Sequence, residues 1–261
     1  MPENRNWESS APLVIAHRGA SMYAPENTIA AFELAVEMGA DAIELDAMLT
    51  ADGTPVVIHD QSLERTTNGS GSVASKAVAE IKLLDAGSMF DASFTDEKIP
   101  TLEEVFYAVG EKILINVELK NYASPFDRLP EIVVALVRKK GLSDRVLLSS
   151  FNPIALMKAR RTSEKIRRAA LIGGGPKIVR GIIEVFTDYF ALHPEVSLVN
   201  QGVVDKHHAA GHKVNAWTVN EESVMMKLLS IGVDGLITDR PDIAKKVIGL
   251  SARKEMANDG C

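Results

Sequence analysis

Short runs rich in Val, Ile and Leu recur along the chain at residues 13–16, 42–49, 56–58, 113–119, 146–149, 169–172, 214–219 and 235–238. Apolar segments of this length, bounded by turn residues, read as buried strands. Most intervals between them carry helical patterns, as at 28–38, 102–109, 129–140, 153–161, 221–231 and 241–250. A parallel connection needs a dozen or more residues and is usually a helix, so repeated strand-helix order puts the strands in one helix-covered parallel sheet. Eight such units in about 250 residues suit a closed (β/α)8 TIM barrel. A doubly wound open sheet is the other architecture compatible with the pattern. The helix expected around residues 173–186, after the sixth strand of the barrel, has the least regular pattern.

A chain of 261 residues, 46% of them hydrophobic, can bury the core of one such domain. That domain is expected over residues 12–250, with 1–11 and 251–261 as flexible termini. Twenty-nine basic residues against 35 acidic ones give a net charge of -6 with no basic footprint, which argues against nucleic acid as a partner. An anionic ligand would have to be met by individual Arg and Lys side chains. The single cysteine, Cys261, leaves no internal disulfide and points to a reducing compartment, the cytoplasm. No apolar run approaches the roughly 18 residues a membrane span requires, so no membrane insertion is expected.

Two departures from a regular barrel bear on function. Too few residues separate Asp46 from Val56 for a crossover helix, so that link must be extended and turn back at Asp52-Gly53. At ~3.3 Å per residue, residues 47–52 reach about 20 Å, enough to run down the outside of the sheet. Whether the segment pairs as a hairpin or merely returns, Asp46 and His59 finish at the same end. The second departure is residues 61–98, which open with Thr66-Thr67-Asn68-Gly69-Ser70-Gly71 and are too long for an ordinary loop. This segment is expected to cap the active face of the barrel, where βα loops gather.

The same ends carry reactive side chains. His17 and Arg18 follow the first strand and precede Gly19, where the chain can turn sharply. They offer one titratable group and one permanent fork of donors matched to a phosphate. Glu44 and Asp46 alternate with Ile43 and Leu45, so both carboxylates share one face and need a counterion unless that face meets solvent. Glu118 and Lys120 repeat the arrangement, and they could instead neutralise each other through a neighbour. Glu44, Asp46 and Glu118 form an oxygen-only ligand set suited to one divalent cation, Mg²⁺ or Ca²⁺. His59-Asp60 brings a second imidazole, and two imidazoles with a cation site and a guanidinium meet the needs of phosphodiester cleavage.

Taken in order, His17-Arg18-Gly19-Ala20, Pro25-Glu26-Asn27-Thr28, Glu44-Leu45-Asp46, His59-Asp60, Thr66-Thr67-Asn68-Gly69, Ile99-Pro100-Thr101-Leu102-Glu103-Glu104, Glu118-Leu119-Lys120, Ser150-Phe151, Ala216-Trp217-Thr218-Val219-Asn220 and Gly235-Leu236-Ile237-Thr238-Asp239-Arg240-Pro241 span nearly the whole chain. This ordered set resembles the glycerophosphodiester phosphodiesterases. The resemblance implies a (β/α)8 barrel with an insertion after strand 3. It also implies His17 and His59 as the acid-base pair, Arg18 and Lys120 as phosphate ligands, and Glu44, Asp46 and Glu118 as holders of the cation. Trp217 becomes a pocket wall against the glycerol or the leaving alcohol. The implied reaction is hydrolysis of a small-molecule glycerophosphodiester to sn-glycerol 3-phosphate and an alcohol, through a cyclic phosphate if the glycerol 2-hydroxyl attacks first.

Two other readings remain, a phosphodiesterase acting on lysophospholipids and a non-catalytic glycerophosphodiester-binding protein. No member of the implied catalytic set is missing, which argues against the second. Gly173-Gly174-Gly175-Pro176 reads as a turn, His207, His208 and His212 as surface residues, and Asp239 as a cap for the last helix.

Overall fold

The computed structural model describes residues 6–174 and 188–258. Strands β1 (Leu13–His17), β2 (Ala42–Leu49), β3 (Pro55–Val57), β4 (Leu114–Leu119), β5 (Val146–Ser150), β6 (Arg167–Ile172), β7 (Ala191–Pro194), β8 (Lys213–Ala216) and β9 (Gly235–Thr238) form one sheet. Helices α1 (Ile29–Glu37), α2 (Val78–Ile81), α3 (Leu102–Val109), α4 (Leu129–Lys139), α5 (Pro153–Thr162), α6 (Gln201–Ala209), α7 (Glu222–Ser230) and α8 (Pro241–Asn258) accompany it. Pairing of β1 with both β9 and β2 closes the parallel strands into a barrel, as the strand-helix alternation predicts. No helix among the described residues is long and apolar enough to cross a membrane.

The eight barrel strands are not quite the eight apolar runs. Residues 56–58 supply β3, which pairs antiparallel with β2 and lies outside the parallel ring. The missing barrel strand is β7, where Ala191-Leu192-His193-Pro194 is too short and too polar for an apolar-run criterion to detect. Its parallel pairing with β6 and β8 is a tertiary fact. The helix expected around residues 173–186 falls largely outside the described residues.

The extended link also takes a different route from the one expected. Rather than descending outside the sheet, β2 runs on past the rim, and the chain reverses at Asp52-Gly53 beyond the C-terminal ends of the parallel strands. Gly53, at φ 79°, supplies the left-handed residue of that turn. Ile58 then bonds back to Asp46, so His59 returns to the same end of the barrel as Asp46. The insertion 61–98 folds over this hairpin with a small core of its own, in which Met48, Val56 and Ile58 meet Leu63, Val73 and Ile81.

Trp7, in the segment expected to be a flexible terminus, is 2% exposed. It closes the N-terminal end of the barrel against Leu13, Leu114 and Leu147 while its indole donates to the Arg145 carbonyl at 3.1 Å. Burial of so large an apolar ring makes the segment part of the fold from there onward. At the other end, α8 continues past residue 250, since no glycine or proline interrupts Ser251 to Asn258.

Strand alternation sorts the side chains. Ile43, Leu45, Val117 and Leu148 pack outward toward the helices, whereas Leu13, Ile15, Leu147, Ala169 and Ala191 fill the interior. One pleat higher the interior turns polar, with Asn116, Ser149, His193 and Asn215 all buried. Asn215 lies 3.0 Å from His193 Nε2 through its amide nitrogen, and burial pushes the imidazole down to about 3, so His193 is neutral in the folded protein. The unfolded chain takes up a proton near pH 6.5 and the folded one does not until about 3, so this group removes stability as pH falls through that window. The contribution is up to roughly 5 kcal/mol. Thermal melts of wild type and His193→Gln between pH 7 and 4 are expected to converge on acidification, and parallel curves would contradict this.

Candidate active site

His17 ends β1, and the two residues after it adopt left-handed backbone, Arg18 at φ 55° and Gly19 at φ 85°. A side chain at Gly19 would bring a Cβ to 2.7 Å from the Ala31 backbone, so this close approach to α1 requires glycine. The turn presents the Arg18 amide to Glu44 Oε2 at 3.1 Å, while the guanidinium faces Glu26 (2.9 Å) and Asp46 (3.4 Å, an ion pair without hydrogen-bond geometry). The unusual Arg18 backbone is thus held from both sides, which is where strained residues persist.

Glu44, Asp46 and Glu118 point into the top of the barrel from β2 and β4, with one oxygen from each mutually within 4.8 Å. All three are buried. Asp46 accepts from Asn27 Nδ2 at 2.8 Å, and Lys120 Nζ sits 3.5 Å from both Asp46 and Glu118. Burial works against an ionised Asp46, but Lys120 and Arg18 outweigh it and hold its carboxyl below the usual range. Glu44 fares differently: burial and the charge of Asp46 push it up to about 8. Glu118 is raised for the same reasons, despite the phenol of Tyr122 that donates to it. Three buried carboxylates with two raised affinities for a proton are under-neutralised by Arg18 and Lys120 alone. An oxygen-only set of this kind fits a hard divalent cation, as the sequence suggests.

Both imidazoles are oriented through Nδ1. His17 Nδ1 is 2.7 Å from Asp239 Oδ1, and His59 Nδ1 is 2.5 Å from Asp60 Oδ1. A carboxylate only accepts, so each Nδ1 carries the hydrogen and each Nε2 is left for a ligand. Burial disfavours protonated His17, but the Asp239 hydrogen bond and the Glu44 charge prevail and raise its pKa. Burial lowers that of His59, with Arg18 and Lys120 overcoming the opposing pull of Asp46. Asp239 is therefore not simply the helix cap it resembles in the sequence, for its carboxylate also accepts from Ser21 (3.0 Å) and Asn220 (2.6 Å).

Arg65 is the insertion's contribution. It forks onto Glu26 at 2.7 and 2.8 Å and donates Nε to Asp60 at 2.5 Å, joining the carboxylate that holds Arg18 to the one that holds His59. The hydrogen bond from Arg65 and then that from His59 overcome burial and hold Asp60 down at about 2. The cap thus shapes the site through a charged bridge rather than by lining it. Nothing in the sequence around Arg65 marks it as part of the site, and Glu26, Asn27 and Asp60 lie in motifs whose local pattern does not reveal these partners.

His17, Arg18, Glu44, His59, Glu118, Lys120 and Trp217 line one cavity of about 110 Å³. Asp46, 1% exposed, lies behind them and is reached through Lys120 and Arg18. Trp217 donates its indole N–H to the His193 carbonyl at 2.9 Å and meets Phe151 edge-on, 5.6 Å between ring centres. Phe151 lines the cavity beside Trp217 and is backed in turn by Tyr122. The remaining histidines lie apart. His207 is buried beside Tyr189 rather than at the surface, and His208 pairs with Asp234 at 2.7 Å, a carboxylate its sequence neighbours do not reveal.

Residues 17–243 match the model of the glycerophosphoryl diester phosphodiesterase family. A glycerophosphodiester phosphodiesterase of Caldanaerobacter subterraneus subsp. tengcongensis is 40% identical over 231 residues, covering 88% of this chain and 95% of the relative. One of Bacillus subtilis is 34% identical over 252 residues, covering 90% and 86%. Among solved structures, an Oleispira antarctica phosphodiesterase in complex with the product sn-glycerol-3-phosphate superposes with a TM-score of 0.81 at 36% identity, covering 92% of this chain and 97% of that one. A glycerophosphodiester phosphodiesterase from Agrobacterium tumefaciens does so at 0.76 and 31%, covering 89% and 98%. The chain belongs to the glycerophosphoryl diester phosphodiesterase family and is a phosphoric diester hydrolase.

Proposed function

We propose that the chain hydrolyses glycerophosphodiesters to sn-glycerol 3-phosphate and an alcohol in the cytoplasm, with His17 and His59 as acid and base and with Glu44, Asp46 and Glu118 holding one Mg²⁺ or Ca²⁺. The observation that carries this reading is a pair of imidazoles, each tied by its own carboxylate at Nδ1, in one cavity with Arg18, Lys120, Glu44 and Glu118, and with the third buried carboxylate, Asp46, directly behind it. The product bound to the Oleispira antarctica relative supports the choice of glyceryl substrate.

Arg18 and Lys120 receive the phosphate oxygens, and Trp217 packs beside the glyceryl group or the departing alcohol. His59, with its lowered pKa, is neutral and takes the proton of the glycerol 2-hydroxyl at Nε2 as the oxygen attacks phosphorus. His17, with its raised pKa, protonates the departing alkoxide from Nε2. The cyclic phosphate so formed opens to water with the two imidazoles exchanging roles. When bound, the cation supplies charge neutralisation at the phosphate. Release of sn-glycerol 3-phosphate from glycerophosphocholine, followed by an enzyme-coupled assay, tests the reading. No release with either Mg²⁺ or Ca²⁺ would overturn it.

Asp239→Asn separates orientation from chemistry. Losing the charge behind His17 is expected to lower kcat by at least about 10-fold and up to about 10⁴-fold, the loss seen when the carboxylate behind an acid-base histidine is neutralised. It also removes a cause of the raised pKa, so the alkaline limb of the kcat profile is expected to move to lower pH. A purely structural role for Asp239 would leave that limb in place.

A further inference from the structure

The floor of the cavity holds polar groups that the mechanism above does not use. Asn116 is the register neighbour of Glu44 and stands two residues before Glu118 on β4, so its amide enters the barrel one pleat below the carboxylates. Ser149 is the register neighbour of Glu118 on β5. Asn116 is 1% exposed and Ser149 0%. Both line the cavity, and Asn116 Oδ1, Asn116 Nδ2 and Ser149 Oγ have no hydrogen-bond partner among the described residues. The adjacent Ser150 is different, since its hydroxyl donates to the Leu119 carbonyl at 2.9 Å.

Buried donors and acceptors left without partners are costly, and the same floor is otherwise apolar at Leu171 and Ile237. An apolar residue at either position would complete the floor without that cost. The groups therefore point to a ligand, and their chemistry limits its kind. Arg18 and Lys120 are the charged partners for the phosphate and the three carboxylates those for a cation, which leaves the uncharged floor to an uncharged part of the ligand. An amide and a hydroxyl together offer both donors and acceptors, the complement of an alcohol.

We propose that Asn116 and Ser149 form the subsite for the terminal hydroxyl of the glyceryl group, and that this floor makes the enzyme selective for a glyceryl head over one lacking that hydroxyl. The inference rests on the activity proposed above and names the part of the substrate that reaches deepest into the barrel. Sites that hydrogen-bond a substrate hydroxyl reject the analogue lacking it, because their own buried groups are then left unpaired.

The test compares glycerophosphocholine with the phosphocholine diester of propane-1,2-diol, which keeps the hydroxyl beside the ester and lacks the terminal one. Wild type is expected to favour glycerophosphocholine at least tenfold in kcat/KM. In Asn116→Leu that preference is expected to fall to within about threefold, with Ser149→Ala intermediate. Equal kcat/KM for both diesters in wild type would overturn the subsite. So would a preference retained in the variants, the result expected if the floor serves only internal water. Should Asn116→Leu fail to fold, as judged by thermal melting, Ser149→Ala decides by the same ratio. Hydrolysis of neither diester by wild type with Mg²⁺ or Ca²⁺ would overturn the proposed activity and the subsite together.

Discussion

Alanine at position 17 is expected to lower kcat for glycerophosphocholine about 10²–10⁴-fold, and alanine at position 59 to do the same, with little change in KM. In the proposed mechanism Arg18 and Lys120, not the imidazoles, carry ground-state phosphate binding. In that mechanism the two histidines act in one proton-transfer sequence, so the double variant is expected to be scarcely slower than either single one. Loss of His17 should not unfold the barrel. Asp239 keeps its hydrogen bonds from Asn220 and Ser21, and the bonds from Arg65 to Asp60 and Glu26 do not involve His17. Initial rates and a thermal melt on each variant check this, and turnover close to wild type in either one would remove that histidine from the mechanism.

Chelation is expected to have a comparable effect, lowering turnover at least about a hundredfold, with recovery on adding Mg²⁺ or Ca²⁺ back. It should also leave a stability signature. At a hundred times its dissociation constant, a bound cation adds about 2.7 kcal/mol, or about 5–10 °C in Tm for a chain of this size. Glu44→Gln is expected to abolish both the activity and the cation-dependent rise in Tm.

The metal-free protein should show a distinctive pH dependence. Glu44 titrates near 8 when folded against an ordinary 4.5, so the folded state holds a proton that the unfolded chain has released, and stability is lost as pH rises between those values. His193 acts in the opposite sense, but only below about 6.5. Above that point Glu44 is unopposed by it, and the raised pKa values of Glu118 and His17 act in the same direction as Glu44. Metal-free protein is therefore expected to lose roughly 2 kcal/mol between pH 6.5 and 8, and Glu44→Gln to flatten that slope. A metal-free Tm that rises over this interval in wild type would contradict the buried, under-neutralised cluster.

How much of this was legible beforehand differs by element. Glu44, Asp46 and Glu118 could be placed together because strand periodicity is strictly two and parallel strands carry their C-terminal ends to one rim. His59 could be placed there because a short link cannot hold a crossover, whichever way it runs. β7 could not be found, since four residues including His193 and Pro194 carry no period of their own and become a strand only through β6 and β8. Asp239 and Arg65 were opaque for a related reason. A carboxylate before a helical proline has an adequate local explanation as a cap, and an arginine in an insertion has one as a solvated surface group.

By itself, then, the sequence determined the barrel, the rim at which the chemistry gathers, and the residue types assembled there, because all three follow from local periodicity, chain reach and motif order. Tertiary structure alone decided which carboxylate stands behind each imidazole, and that Arg65 bridges Glu26 to Asp60. It also decided that Asn116 and Ser149 turn unpaired polar groups into the floor. Hydrogen bonds of 2.5 to 3 Å between residues as far apart as His17 and Asp239 depend on barrel closure, which no window along the chain contains.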